Sequence, residues 1–130
     1  MAAVLLTALA GAPAADEPER EQRTRQLVDE GLGRFNVGEY DEAAKRFTQA
    51  YLLQPLPELL YDLAQIAAKQ GRREKAIELY RRFQATLPPA TPQERAIAAK
   101  IDDIEAVLKQ ETPAQQVSRR LQSEIGRAHV

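Results

Sequence analysis

Few side chains in this sequence have the types and spacing that chemistry requires. Asp102 and Asp103 are adjacent carboxylates, and a carboxylate pair can share a proton in acid–base catalysis or hold a metal ion. On a helix, however, neighbouring side chains diverge by about 100°, so both are read as surface residues. The single histidine, His129, stands next to the chain end, and there is no cysteine. One chain therefore cannot assemble a histidine zinc cluster, a Ser-His-Asp relay, a thiolate metal site, a disulfide or a cysteine nucleophile. His129 is given no function. Arg72, Arg73, Lys75, Arg81 and Arg82 outnumber Glu74 and Glu78 over a short stretch. Such a run could meet phosphate, but no larger basic face, stacking aromatics or recognisable nucleic-acid module accompanies it. A solvated helix face with pairs three and four residues apart is the simpler reading. No Gly-rich phosphate loop and no metal-ligand spacing occurs. The sequence thus predicts no enzyme, with no catalytic, cofactor-binding or metal-ligating residue, no small-molecule substrate and no nucleic-acid partner.

What remains is a scaffold. The 130 residues carry 18 Lys+Arg against 19 Asp+Glu, with 44% hydrophobic and 28% charged residues, which is ordinary for a folded soluble domain. Aromatics are scarce, tryptophan is absent, and Ala, Leu, Glu, Gln, Lys and Arg abound, the profile of an all-α protein. A shift of 33 positions superposes Gly38 on Gly71, Ala43 on Ala76, Phe47 on Tyr80, Ala50 on Phe83 and Pro55 on Pro88. A period of this size marks a supersecondary unit that buries its apolar face against its own copy. Each unit reads as two helices. Leu27, Gly31 and Phe35 precede the break at Gly38, and Ala43, Phe47, Ala50 and Tyr51 follow it; Leu60, Leu63, Ala64 and Ala67 precede Gly71, and Ala76, Tyr80 and Phe83 follow. Gly31, Ala43, Ala64 and Ala76 are expected where two helix backbones approach closely.

Gly38-Glu39-Tyr40-Asp41-Glu42-Ala43 with Phe47, Ala50 and Pro55, and then Leu60, Leu63 and Ala64 with Gly71, Ala76, Tyr80 and Pro88, resemble the tetratricopeptide repeat (TPR) family, whose period is about 34. The sequence departs from the family pattern at Glu30, where leucine is usual, at Arg34 for tyrosine, at Ala64 for glycine, and by one residue between Pro55 and Leu60. The stretch Ala50–Gln65 further resembles envelope repeat proteins of myxobacteria. The family resemblance implies a TPR-like fold of two helix-turn-helix units plus a C-terminal capping helix. It also implies a concave groove that holds a peptide or a partner's helix, lined by Arg25, Val28, Asp29, Leu32 and Asn36 from the first unit and Glu58, Tyr61, Asp62, Gln65 and Lys69 from the second. Chaperone-tail binding in this family needs Lys, Asn and Arg where Val28, Asp29, Tyr61 and Asp62 stand, so that ligand is disfavoured. Exposed Tyr61 and Leu32 would anchor an apolar or aromatic side chain, while Asp29 and Asp62 would favour a basic one. Leu32 is equally open to a core reading. The other function class left open is a structural or oligomerisation module of a larger envelope protein.

A further helix starts at Thr91-Pro92-Gln93-Glu94, a capping hydroxyl followed by proline and then glutamate three residues on. Its stripe Ile97, Ile101, Ile104 and Leu108 suits a lid over the last exposed solenoid face. The alternative is an amphipathic helix for a partner or membrane. Two units are few for a solenoid, so dependence on this helix or self-association is expected. Residues 1–15 lack charged side chains, run apolar from Ala2 to Ala10 and offer Ala12-Pro13-Ala14 as a cleavage site, as in an export signal truncated at its start; the alternative is an apolar tail. Export would place the protein in the periplasm or cell envelope, and its absence in the cytoplasm. The expected organisation is a signal over 1–15, a helical domain over 16–110, a linker over 111–123 from Thr112-Pro113 onward, and over 124–130 a translated sequencing adapter or a genuine short tail.

Overall fold

In the computed structural model, which describes residues 16–128, six helices follow one another: α1 (Glu17–Asn36), α2 (Tyr40–Leu53), α3 (Pro57–Lys69), α4 (Arg73–Gln84), α5 (Pro92–Gln110) and α6 (Pro113–Ala128). The export-signal expectation for 1–15 and His129 lie outside the described residues. The sequence period is visible in the backbone itself. Gly38 and Gly71 have φ of +79° and +75°, the left-handed conformation that a side chain disfavours and glycine accepts. Around each, the same two hydrogen bonds close the preceding helix. Gly38 and Glu39 N–H groups donate to the carbonyls of Phe35 and Arg34; Gly71 and Arg72 donate to those of Ala68 and Ala67, the positions 33 residues on. Pro55 and Pro57 limit what lies between the units. Gln54, before the first proline, is extended, and α2 stops.

Each helix packs on its chain neighbour, α1 on α2, α2 on α3, α3 on α4 and α4 on α5. Ala43, Ala50, Ala64 and Ala76 are wholly inaccessible, and Gly31 is buried where a Cβ would stand only 2.8 Å from the Phe47 ring. The predicted close approaches are therefore where the helices touch. Two apolar clusters result. Leu27, Ala43, Phe47, Ala50, Leu59 and Ile66 form the first, and Leu60, Ala64, Ala67, Ala76, Ile77, Leu79, Tyr80, Phe83, Ile97 and Ile101 the second. The helix α3 serves both, sending Leu59 and Ile66 one way and Leu60, Ala64 and Ala67 the other. From α5, Ile97 and Ile101 are buried in the second cluster, with Ile104 and Leu108 against it. At about 1.5–3 kcal/mol for each fully buried isoleucine, this lid carries a substantial part of the second unit's stability.

Two expectations are corrected. Five helices were anticipated and six are described, because the stretch read as a linker over 111–123 is mostly helix. Thr112 and Gln115 form a reciprocal cap: the Thr112 N–H donates to Gln115 Oε1 at 2.9 Å, and the Gln115 N–H donates to Thr112 Oγ1 at 3.2 Å. Thr112-Pro113-Ala114-Gln115 thus repeats the start signal of α5, where the Glu94 N–H donates to Thr91 Oγ1 at 3.2 Å. The second correction concerns the basic run. Lys75 pairs locally with Glu78, but Arg73 pairs with Glu111, Arg81 with Glu105, and Arg82 donates to Tyr51 Oη at 3.1 Å. These cations mainly tie α4 to α2, to α5 and to the turn after α5 rather than to residues one turn away. Likewise Glu30, a departure from the family pattern, meets Arg46 of α2 at 3.2 Å.

Candidate functional site

The helices α1 and α3 occupy equivalent places in the two units, and the middle of α1 and the N-terminal half of α3 border an open concavity of about 420 Å³. Arg25, Val28 and Asp29 line it from α1, Glu58 and Asp62 from α3. Half of the ten predicted groove residues therefore converge. Its apolar lining comes from Val28, Leu59 and Leu56, with Thr24 below and Glu21 and Gln54 at the rim. Thr24 is buried and donates from Oγ1 to the Arg20 carbonyl at 2.8 Å, which removes its hydroxyl from competition with a ligand.

The site's electrostatics are one-sided. Glu21, Asp29, Glu58 and Asp62 supply four carboxylates against the Arg25 guanidinium. Asp62 is half-buried on α3 one turn after Glu58, and burial, reinforced by the Glu58 charge, pushes its carboxyl above the ordinary range. No ion pair or hydrogen bond in the described structure occupies the side chain of Asp29 or Asp62.

The other predicted residues lie elsewhere. Leu32 is 45% exposed, which excludes the core reading, yet it does not line the concavity, nor do Asn36 and Lys69 near the helix ends. Tyr61 was expected as an exposed anchor; instead it is half-buried, with its ring 5.8 Å from Tyr80 and 5.6 Å from Phe83 between centroids. Tyr61 precedes the buried Ala64 by three residues on one helix face, and its ring packs against the second cluster. Gln65 Nε2 donates to Tyr61 Oη at 3.1 Å, so this pair is occupied internally. Glu21, Thr24, Gln54, Leu56 and Leu59 were missed. Glu21 was available from the sequence, since it precedes Arg25 by one helical turn on the same face. Gln54 and Leu56 come from the connection between units, which no helical stripe reveals.

A second polar focus, also absent from the sequence reading, holds α6 in place. The Arg119 guanidinium donates to both carboxylate oxygens of Glu74 at 2.9 Å, to Glu111 at 3.1 Å and to the Gly71 carbonyl at 3.2 Å. Hydrogen bonding from Arg119 holds the Glu74 carboxyl at about 2. The helix docks through this polar side, and Val117 and Leu121 are exposed.

Antiparallel helix pairs, copied once along the chain and hollowed along the first helix of each copy, define an all-α helical-repeat protein. The sequence model described as tetratricopeptide repeat matches residues 28–94, a span that takes in both glycine turns and ends in the first turn of α5. The chain belongs to the tetratricopeptide repeat family. Its repeats generally mediate protein–protein interaction and typically form non-catalytic scaffolds. No curated protein matches the chain.

Proposed function

We propose that this protein is an interaction scaffold whose concave face between α1 and α3 receives a peptide or a helix of a partner protein. The observation that carries this reading is the concavity itself, walled by equivalent helices of the two units and floored in part by Leu59 and Val28, which the first core cluster already holds in position. Its walls are preformed, so association restricts mainly the partner, which lowers the entropic cost of binding. The test is photo-crosslinking in cells from a benzoylphenylalanine placed at Arg25 or Glu58, with exposed Thr48 and Gln49 of α2 as the outer-face controls. A protein adduct from the concave positions alone is expected. Adducts from both faces alike, or from the α2 positions alone, would overturn the reading.

The proposed setting is a bacterial cell envelope, supported by the apolar run Ala2–Ala10 and the Ala50–Gln65 stretch. Fusion of the chain to a reporter that is active only after export tests this. Activity that depends on residues 1–15 is expected, and its absence would return the protein to the cytoplasm.

A further inference from the structure

The two units share few identities at the 33-residue shift, and these divide by physical cause. Leu27/Leu60 and Ala43/Ala76 are core residues, Gly38/Gly71 require positive φ, and Pro55/Pro88 follow the second helix of each unit. Asp29/Asp62 is the remaining identity and has no such role: neither carboxylate is engaged by a hydrogen bond or ion pair of the described structure. The neighbouring groove positions differ between the copies, with Arg25 against Glu58, Val28 against Tyr61, Leu32 against Gln65 and Asn36 against Lys69. Both aspartates line the concavity, beside the apolar floor of Val28, Leu56 and Leu59.

Resting on the interaction reading above, we infer that the groove's occupant is a segment of a partner protein that sets lysine or arginine against Asp29 and Asp62 and an adjacent apolar side chain on the floor between them. Charge complementarity selects this occupant. An acidic segment would meet four carboxylates, and a purely apolar one would leave Asp62 covered and unpaired. A cation gives that half-buried carboxylate the partner the fold withholds, while the flanking apolar contact supplies burial. Arg25 at the rim remains free to take an acidic or carbonyl group further along the same segment.

The experiment titrates the full ¹⁵N-labelled chain with short capped peptides in which leucine alternates with lysine, with glutamine or with glutamate, following backbone amide shifts. The lysine peptide is expected to move amides around Arg25–Asp29 and Glu58–Asp62, and raising the salt concentration is expected to weaken it. The joint variant Asp29→Asn/Asp62→Asn should bind it about five- to tenfold more weakly, as two partly screened charge pairs predict, while Asp102→Asn on α5 should bind as the parent does. Thermal melts confirm that each variant is folded. Equal binding of the lysine and glutamate peptides in the groove, or no loss in the joint variant, would overturn the charge inference and leave the groove reading standing. Peptides that shift no amide between α1 and α3 would overturn both.

Discussion

The closest packing in the first unit predicts opposite signs for one substitution at two glycines of the same helix. Both Gly31 and Gly33 lie within α1, where replacing glycine by alanine restricts the unfolded chain and favours the helix by about 0.5–1 kcal/mol. At Gly33 nothing lies within 4 Å of the added methyl, so the whole gain is realised. At Gly31 the methyl would stand 2.8 Å from two ring carbons of Phe47 and 3.3 Å from the Arg46 Cβ, against a comfortable separation of about 3.5–4.0 Å. Phe47 is 1% exposed and enclosed by the first cluster, so its ring has no free direction in which to yield. Overpacking of this kind costs about 1–3 kcal/mol, which leaves Gly31→Ala destabilised by roughly 1 kcal/mol net. At about 4 °C per kcal/mol, Gly33→Ala should melt about 2–4 °C above the parent and Gly31→Ala about 4 °C below it, followed by helicity on heating. Adding Phe47→Leu shortens the obstructing side chain, and in that background Gly31→Ala should lose most of its penalty. A Gly31→Ala melt at or above the parent, or a penalty indifferent to Phe47→Leu, would refute the close approach.

Three further outcomes follow from the site. Tyr61→Ala should lower stability by about 2 kcal/mol through loss of the contacts with Tyr80 and Phe83, whereas Tyr61→Phe, which forfeits only the hydrogen bond from Gln65, should cost about 0.5–1 kcal/mol; an unshifted alanine melt would return Tyr61 to the groove. The Glu74 carboxyl is depressed from 4.5 to about 2 when folded, so its contribution to α6 docking is complete above pH 4.5 and drains away as pH falls towards 2. The chain lacks cysteine, so dyes on cysteines introduced at Val117 and Thr48 can report docking by energy transfer: transfer should fall across that window, and Arg119→Ala should show the low value already at pH 7. Asp62 has the opposite sign. Its folded carboxyl is raised from 3.8, so the penalty is absent below that pH and complete above the folded value, and Asp62→Asn should raise the melting temperature at pH 7 but not at pH 3; at minimum it relieves a like-charge pair with Glu58 worth about 0.2–0.5 kcal/mol.

The paired helices were legible because their signals are local and doubled. A glycine that alone tolerates positive φ, a small residue at each crossing and an apolar stripe recur after 33 positions, so Gly38/Gly71 and Ala43/Ala76 support one another. The lid was legible through Thr91-Pro92-Gln93-Glu94 and its isoleucine stripe. The sixth helix carried an equivalent start signal in Thr112-Pro113-Ala114-Gln115, but its docking does not use an apolar stripe. It is held by Arg119, whose partners Glu74 and Glu111 come from two other segments, and periodicity carries no trace of such a contact. The groove was half legible for a related reason. Position within a unit located Arg25, Val28, Asp29, Glu58 and Asp62, whereas the inward turn of Tyr61 depends on Tyr80 and Phe83, and Leu56 depends on how the connection after α2 folds back.

The placement of Asp62 joins stability to recognition. The helix that carries it is held from both sides, with Leu59 and Ile66 in one cluster and Leu60, Ala64 and Ala67 in the other, so the wall of the groove is among the most constrained elements of the fold. A carboxylate on such a helix cannot escape to solvent by moving its backbone, and with Glu58 one turn before it, it raises the energy of the empty groove. A cation set against Asp62 would relieve that energy without any change in the fold, and on the inference above the surplus would favour basic over neutral or acidic segments. The same reasoning orders the two aspartates. Asp29 on α1 is exposed and is solvated when free, whereas Asp62 on α3 is partly desolvated. Of the two single substitutions, Asp62→Asn should therefore weaken capture of the lysine peptide more than Asp29→Asn, and the reverse order would show that desolvation is not what makes the site selective.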